Sequence, residues 1–233
     1  KIAMGHYARI EKFQGRRAIA KSNDADKDQS FFLWKLSPKQ LENVELPLGD
    51  YDKNEVKMLA NHEGLAFVSA RKESTGACFV KKDYRKTLQQ NVPLGDLPGF
   101  GNFIDVSGNV VGRHSGFPFY TIGQRHGLGL KSSKRLFVKE IKPDTNQIVL
   151  SEANGLWCNE FFLVDSVIHF PEIAFSEIVE VKTRYRNQFT LARLFVIDEY
   201  IHVKPIDPVW AVSPGQAAAI YYNDILIGGG FIQ

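Results

Sequence analysis

Cysteine is scarce in this sequence, whose 233 residues include only Cys78 and Cys158. Two cysteines so far apart cannot build a disulfide framework, and they lack the paired short spacing of a zinc site. The six histidines show no ligand spacing either. We therefore predict a protein of a reducing compartment whose own residues form no metal site.

Long hydrophobic runs are also missing, since no apolar stretch approaches the roughly 20 residues that cross a bilayer. The first residues lack the apolar core of a signal peptide. Neither sign of charge dominates, with 29 Lys and Arg against 26 Asp and Glu. This balance permits a basic face but does not by itself indicate nucleic acid. The sequence predicts a soluble, cytoplasmic protein with no membrane partner.

Common catalytic signatures are absent as well. The sequence has no P-loop, no His-Glu-x-x-His zinc motif, no Gly-x-Ser-x-Gly elbow and no Rossmann glycine set after a strand. It has an ordinary globular composition, 44% hydrophobic and 24% charged, which excludes a disordered or coiled-coil chain. A folded protein with a sizeable core is therefore expected.

The first residues predict a strand. Ile2–Met4 are apolar and lead at once into Gly5, a pattern typical of a strand that ends in a glycine turn. A strand buried from its first residue needs neighbours on both sides. Nothing before it in this sequence can supply them, so we expect an upstream part of a larger protein to precede this strand.

Residues 1–81 predict a mixed α/β region. A hairpin is expected at Phe13–Gly15. Ser37–Pro38 combines an N-cap residue with proline at the first helical position, and Asp52 with Glu55 three residues later resembles a capping box. Two short helices in succession are predicted, the second closed by Gly64.

Residues 82–148 and 149–233 are richer in β signals. Ser107–Gly108 lies between apolar runs and predicts a hairpin in the first of these regions. Several short strands in sequence then favour a closed antiparallel barrel at the C-terminus. The strands are expected at Glu160–His169, Ile178–Tyr185, Thr190–Ile197, Tyr200–Val203, Ala217–Tyr222 and Ile225–Ile227. The fold class is α+β.

Cys78 lies between cationic residues, after the turn Ser74–Gly76 and with Arg71, Lys72 and Lys81 close in sequence. Nearby cations stabilise a thiolate and lower the pKa of a partly exposed thiol. A reactive cysteine is one interpretation. The alternative is a buried cysteine that acts as a small hydrophobic residue, and Cys158 fits that description better.

Polar residues beside turns and strand ends form a second group. It comprises Asp26–Gln29, Arg184–Arg186 and Pro214–Gln216. Arginine bonds phosphate bidentately, tyrosine stacks on an unpaired base, and glutamine reads a base edge. RNA binding is therefore one interpretation, and a solvated strand face with one core aromatic is the other. Arg113–His114 and Arg125–His126 would add a basic lip or an ordinary surface.

Taken in order, these segments resemble one family, the tRNA-specific 2-thiouridylases. The resemblance extends over nearly the whole chain, which makes it far more specific than any single motif. It rests on Gly5–Arg9, Lys27–Leu33, Ser74–Phe79, Gly112–Gly116, Tyr120–Gly127, Arg184–Arg186, Pro214–Gln216 and Gly228–Gly230.

The resemblance implies a domain organisation. The family binds ATP, with Mg²⁺ expected alongside it, through an N-terminal pyrophosphatase-type domain with a Ser-Gly-Gly-x-Asp-Ser loop, and this sequence has no such loop. Residues 1–81 would be the truncated remnant of that α/β nucleotide-binding domain. Residues 82–148 would form a small β-rich tRNA-binding domain, and residues 149–233 the C-terminal antiparallel β-barrel.

The resemblance also implies site residues and partners. Gly5 would contact the nucleotide, and Cys78 would be the catalytic cysteine that carries a persulfide delivered by a sulfur-carrier protein. The partner RNA would be the tRNA anticodon stem-loop, and no DNA is expected. The residues that would bind it are His6, Lys27, Asp28, Gln29, Arg184, Tyr185 and Gln216.

The activity so implied is ATP-dependent 2-thiolation of the wobble uridine, U34. Adenylation would turn the C2 oxygen into a leaving group, and the persulfide sulfur would replace it. An upstream cysteine, which this sequence lacks, would break the remaining S–S bond and leave a disulfide. This chain alone is expected to be inactive. The alternatives are a non-catalytic tRNA-binding module and, last, a tRNA methyltransferase, for which the sequence has no glycine-rich methyl-donor site.

Overall fold

The computed structural model describes residues 1–69, 84–93 and 95–233. These residues form two compact units. Lys1–Arg71, Asn159–Val209 and Ser213–Gln233 make the first, and Lys72–Cys158 with Trp210–Val212 makes the second, in each case for the part that is described. The division into domains at residues 81 and 148 stays a prediction.

The first part of the chain mixes short strands and helices, as predicted. Both expected helix starts are confirmed, because Ser37 and Asp52 each form a complete capping box with the residue three positions later. Gly64, at φ +73°, follows the second helix. The elements are β1 (Ile2–Ala3), β2 (Arg9–Phe13), β3 (Arg16–Ala20), a 3₁₀ turn (Ser30–Leu33), α1 (Pro38–Leu41), β4 (Val44–Glu45), α2 (Lys53–His62) and α3 (Ala66–Ser69).

The strand predicted at the start of the sequence is present as β1, and its first residue is exposed. Ile2 is 63% exposed. The reason is that β1 pairs in parallel with β4 in a sheet of only two strands within the described residues. No second strand covers its other edge there.

The second unit is built around a four-stranded sheet. Its elements are α4 (Tyr84–Asn91), β5 (Gly101–Ile104), β6 (Val110–His114), a 3₁₀ turn (Phe117–Phe119), β7 (Phe137–Lys142), β8 (Gln147–Ser151), a second 3₁₀ turn (Ala153–Leu156) and β9 (Trp157–Cys158). The sheet order is β6-β5-β8-β7, with β5 and β8 parallel. The hairpin predicted at Ser107–Gly108 joins β5 to β6, and Gly108 has φ +88°.

His114 is not part of an exposed basic lip. It is buried against Phe103 and Tyr120, with ring centroids 5.1 and 5.5 Å away. Burial holds the pKa of its imidazole below the ordinary value. Its Nδ1 accepts the Gly116 N–H at 3.1 Å, which is the bond of a neutral ring.

The predicted barrel is confirmed as a closed, six-stranded antiparallel structure in the first unit. The remaining elements are β10 (Phe161–Ile168), α5 (Pro171–Ala174), β11 (Val179–Lys182), β12 (Thr190–Ile197), β13 (Tyr200–Pro205), β14 (Val209–Trp210), β15 (Ala217–Tyr222) and β16 (Ile225–Ile232). The strand order is β10-β13-β12-β11-β15-β16, and β16 pairs back onto β10 to close the ring. Closure removes the sheet edges that would otherwise be exposed.

The hairpin of β2 and β3 extends the barrel sheet. Its turn is formed by Gln14 and Gly15 at φ +46° and +78°, as a two-residue hairpin requires. β3 then pairs with the first half of β16, Ala20 opposite Ile225 and Ile19 opposite Leu226. The start of the chain and its end therefore share one sheet.

A common core joins this N-terminal segment to the barrel. It contains Ala8, Ile19, Phe31, Leu33, Trp34, Leu41, Val44, Leu46, Ala219, Tyr221 and Leu226, all buried. Trp34 packs edge-on to Phe231 at 5.4 Å between ring centroids. Burial of each large side chain contributes about 1.5–3 kcal/mol, so the two sequence regions stabilise each other.

No helix in the described ranges combines the length and apolar surface that a bilayer crossing needs.

Gly229 makes the close packing of Trp34 possible. A Cβ at this position would lie 2.8 Å from the Trp34 ring and 2.7 Å from the Ala218 carbonyl oxygen. Both neighbours are fixed, one by the core and one by strand pairing.

Gly229→Ala is therefore expected to lower the free energy of unfolding by about 1–3 kcal/mol, the usual cost of overpacking. Urea unfolding followed by circular dichroism measures it. Gly99→Ala is the matched control, because a Cβ there meets nothing within 4 Å. Equal midpoints for the two variants would contradict this account.

Candidate functional site

Cys78 lies outside the described residues, and its predicted role is untested by the structure. The other predicted site residues are all described and all belong to the first unit. They are Gly5, His6, Lys27, Asp28, Gln29, Arg184, Tyr185 and Gln216.

Two reciprocal hydrogen bonds connect the Gly5–His6 end to the Lys27–Gln29 segment. The Tyr7 N–H donates to Gln29 Oε1 at 3.0 Å, and the Gln29 N–H donates to the Tyr7 carbonyl at 2.7 Å. Gly5 is exposed and His6 is half-buried. The two stretches of sequence therefore lie side by side.

Asp28 is buried, with only 6% of its surface exposed, and its carboxylate is used internally. Oδ1 accepts the N–H groups of Ser22 and Ser30 at 3.0 and 3.3 Å, and Oδ2 accepts the Ser30 hydroxyl at 2.9 Å. A charge taken out of water needs such bonds. Asp28 thus holds the backbone of its segment in one shape.

The Asp28 bonds continue into the barrel through Tyr221 of β15. Ser30 Oγ lies 3.0 Å from the Tyr221 hydroxyl. Because the single Ser30 proton goes to the carboxylate, the Tyr221 hydroxyl donates to Ser30 Oγ. Burial raises the pKa of Tyr221 far above its ordinary value, so this proton is retained. A buried chain of three side chains therefore fixes the segment to a barrel strand.

Tyr185 lies against the 3₁₀ turn Ser30–Leu33, which directly follows the Lys27–Gln29 segment. Its ring centroid is 4.7 Å from that of Phe32 and 6.3 Å from that of Phe31. The ammonium of Lys182 lies 5.8 Å from the Tyr185 ring centroid. Burial first, and then the negative charge of Asp28, hold the pKa of Tyr185 above its ordinary value. The hydroxyl is therefore neutral at physiological pH.

Arg184 and Gln216 meet at a turn between β14 and β15. The Arg184 guanidinium donates to Ser213 Oγ at 2.5 Å, and the Gln216 N–H donates to the Ser213 carbonyl at 3.2 Å. Burial lowers the pKa of Arg184, but a guanidinium stays charged in proteins. Arg184 and Gln216, both half-buried, therefore share Ser213 as a hydrogen-bond partner.

The described site residues are therefore linked in one series, from Gly5 through the Lys27–Gln29 segment and Tyr185 to Gln216. Cations, an aromatic ring and amides along such a series match the chemistry of RNA recognition. Sequence reasoning missed Ser30, Tyr221 and Ser213, which connect the series. Strand patterning predicts that Tyr221 is buried, but nothing local indicates which residue its hydroxyl meets.

The nucleotide contact predicted at Gly5 stays a prediction. Gly5 is exposed, and a Cβ placed on it would meet only Leu48, at an ordinary 3.8 Å. Among the described residues, no group of three or more His, Cys, Asp and Glu side chains is arranged to hold a metal ion.

Three domain families match the chain in succession and define its class. Two of them are named as domains of tRNA methyl transferases. Residues 1–82 match the tRNA methyl transferase HUP domain, residues 86–152 the tRNA methyl transferase PRC-barrel domain, and residues 165–232 the aminomethyltransferase beta-barrel domain. The fold class predicted from the sequence is confirmed by these matches together with the closed barrel.

More particularly, the chain belongs to the tRNA-specific 2-thiouridylase family. It is 38% identical over 236 residues to the tRNA-specific 2-thiouridylase MnmA of Desulforudis audaxviator, covering 100% of this chain and 68% of that protein. It is 39% identical over 242 residues to MnmA 1 of Bacteroides fragilis and 40% over 234 residues to MnmA 2 of Phocaeicola vulgatus. Each match covers 99% of this chain and 66% of the relative.

The buried hydrogen-bonded series of Asp28, Ser30 and Tyr221 predicts that two conservative substitutions lower the free energy of unfolding by different amounts. Ser30→Ala leaves a buried carboxylate oxygen and a buried phenol without their partner, and is expected to cost about 1–3 kcal/mol of unfolding free energy. Tyr221→Phe removes only the terminal donor, and about 1 kcal/mol is expected.

Urea unfolding measures both effects, with Tyr222→Phe on the same strand as the matched control, expected within about 0.5 kcal/mol of the parent protein. The double variant should lose less than the sum of the single losses, because the two hydroxyls belong to one chain. Strict additivity would show that the two hydroxyls are not coupled.

Proposed function

We propose that this chain acts in 2-thiolation of the wobble uridine, U34, of tRNA. The observation that carries the proposal is the match to 2-thiouridylases over 99–100% of this chain. The linked series of predicted tRNA-binding residues in the first unit supports it. The chain spans about two thirds of the length of the curated relatives it matches, 66% for the first of them.

The chemistry needs activation of an unreactive carbonyl. ATP, with Mg²⁺, would adenylate the C2 oxygen and release pyrophosphate, so that AMP becomes the leaving group. The terminal sulfur of a Cys78 persulfide, loaded by a sulfur-carrier protein, would then attack C2. A second cysteine thiolate would then attack the Cys78 Sγ and break the S–S bond that still joins Cys78 to the sulfur on C2. A disulfide between the two cysteines would result. AMP would leave as the C2–S bond forms, and the attack on Cys78 would release the second sulfur on C2 as 2-thiouridine. The disulfide would need an external thiol reductant before another cycle.

The described residues would bind the anticodon stem-loop rather than react with it. Arg184 and Lys27 would contact phosphates as cations, and Tyr185 would stack on an unpaired base. Gln29 and Gln216 offer amide groups to base edges. Asp28 would act by holding Lys27 and Gln29 in place, since both of its oxygens accept internal hydrogen bonds.

Two further roles follow from the family. Gly5, exposed beside His6, would contact the nucleotide through its backbone, and His6 would touch tRNA. A cytoplasmic location with tRNA as the nucleic-acid partner is part of the same proposal. A non-catalytic tRNA-binding module would use the same binding residues but would need no reactive thiol at position 78.

Cys78→Ser is expected to abolish 2-thiouridine formation by the intact protein, because serine cannot carry a persulfide sulfur. The measurement is mass spectrometry of nucleosides from tRNA incubated with ATP and a persulfide donor. Cys158→Ser is the matched control, since Cys158 lies half-buried on β9, and its activity should be unchanged. Full activity in Cys78→Ser would end the enzymatic proposal.

The binding-module alternative is separated by the mass of the protein itself. With a persulfide donor and without tRNA, one added sulfur is expected on the peptide that contains Cys78, and none on the peptide that contains Cys158. Electrospray mass spectrometry after digestion without reductant measures it. An unmodified Cys78 peptide together with intact tRNA binding would favour the module.

A further inference from the structure

We propose that Phe32 forms, together with Tyr185, a stacking site for one unpaired base of the RNA. The inference rests on the proposed function and adds a binding residue to it. Phe32 directly follows the Lys27–Gln29 segment, on the 3₁₀ turn Ser30–Leu33.

The exposure of Phe32 is the first observation. Half of its surface, 51%, is in solvent, whereas its neighbours Phe31 and Leu33 are each only 6% exposed. An exposed phenylalanine gains little stability from its position. The buried neighbours anchor the turn on both sides and so hold Phe32 outward. A ring presented in this way loses little conformational entropy when a ligand stacks on it.

The geometry of the rings is the second observation. Phe32 and Tyr185 have centroids 4.7 Å apart and ring planes inclined by 39°. Phe31 meets Phe32 edge-on, at 5.3 Å and 89°. These contacts restrain Phe32 without covering it. They leave a partly exposed aromatic pair, which is the usual platform for an unpaired base.

The charges around the pair favour a nucleic acid as the occupant. The ammonium of Lys182 lies over the Tyr185 ring. The positive charges of Lys27 and Arg186 act on the Tyr185 hydroxyl. The two carboxylates whose charges act on the Tyr185 hydroxyl, Asp24 and Asp28, both accept backbone N–H groups within the protein. The phosphate of a stacked nucleotide would therefore meet cations, while the acidic groups are engaged internally.

The first experiment measures binding of an anticodon stem-loop RNA to the intact protein by fluorescence anisotropy. Phe32→Ala is expected to weaken binding by about 5- to 150-fold, the effect of losing one base stack. Phe32→Tyr keeps a π-face and should bind within about two-fold of the parent protein. Phe32→Leu keeps apolar volume without the ring and should lose most of the affinity that alanine loses.

Phe195→Ala is the matched control. Phe195 is similarly exposed, at 45%, but lies on β12 of the barrel and contacts His202 rather than a predicted site residue. Its replacement should leave the dissociation constant unchanged. A loss equal to that of Phe32→Ala would show a general effect of surface aromatics and overturn the proposal.

The second experiment identifies the base. A set of stem-loops, each with one abasic loop position, is tested against the parent protein and Phe32→Ala. One abasic RNA should bind the parent protein as weakly as Phe32→Ala binds the intact RNA. For that abasic RNA the dissociation constant should be the same with the parent protein and with Phe32→Ala. Additive losses at every position would overturn the stacking site.

The two proposals fail in different ways. If the parent protein does not bind the stem-loop, the proposed function is wrong. If the parent protein binds and Phe32→Ala, folded by circular dichroism, binds equally well, only the stacking site is wrong. Phe32→Leu and Phe32→Tyr give the same answer if the alanine variant does not fold, because the comparison between them isolates the ring.

Discussion

The close approach of Trp34 to Gly229 is the contact on which the first unit depends. A strand that bore a side chain at this position would hold the indole away from the barrel. With glycine there, Trp34 lies within the common core. The N-terminal segment is then covered by the barrel, and the barrel wall by the segment, so that neither has to expose its apolar side to water.

This shared core decides where the site residues lie. The family models assign Gly5 and the Lys27–Gln29 segment to a different domain from Arg184 and Gln216. In the structure all of them belong to one compact unit. Two links make the arrangement specific. One is the pairing of β3 with β16, and the other is the buried chain from Asp28 through Ser30 to Tyr221. The fold itself therefore holds the predicted RNA-binding residues close to one another.

The predicted site residues differ in whether they are buried within the fold or partly exposed to solvent. Asp28 is the most buried of the predicted RNA-binding residues, and its carboxylate accepts hydrogen bonds from within the protein. Tyr185 and Phe32 keep part of their surface in solvent, close to cations. Buried hydrogen bonds therefore maintain the shape of the segment, and the proposed contacts with RNA fall on partly exposed rings and amides. The chemistry of sulfur transfer is proposed for Cys78, which lies outside the described residues.

Local features of the fold could be predicted from the sequence alone. The capping boxes at Ser37 and Asp52, the Gln14–Gly15 turn and the strands of the barrel all depend on neighbouring residues, whose preferences are visible in the sequence. The ordered motifs were also sufficient to indicate the family, because their succession along the chain needs no coordinates.

Only the tertiary structure decided which of these pieces meet. The exposure of Ile2, the addition of the first hairpin to β16 and the bond between Ser30 and Tyr221 all depend on pairings between residues far apart in sequence. The outward position of Phe32 has the same origin, because Phe31 and Leu33 are buried in a core that includes residues of the barrel. A residue's preferences are local, but its partners are selected by the packing of the whole unit.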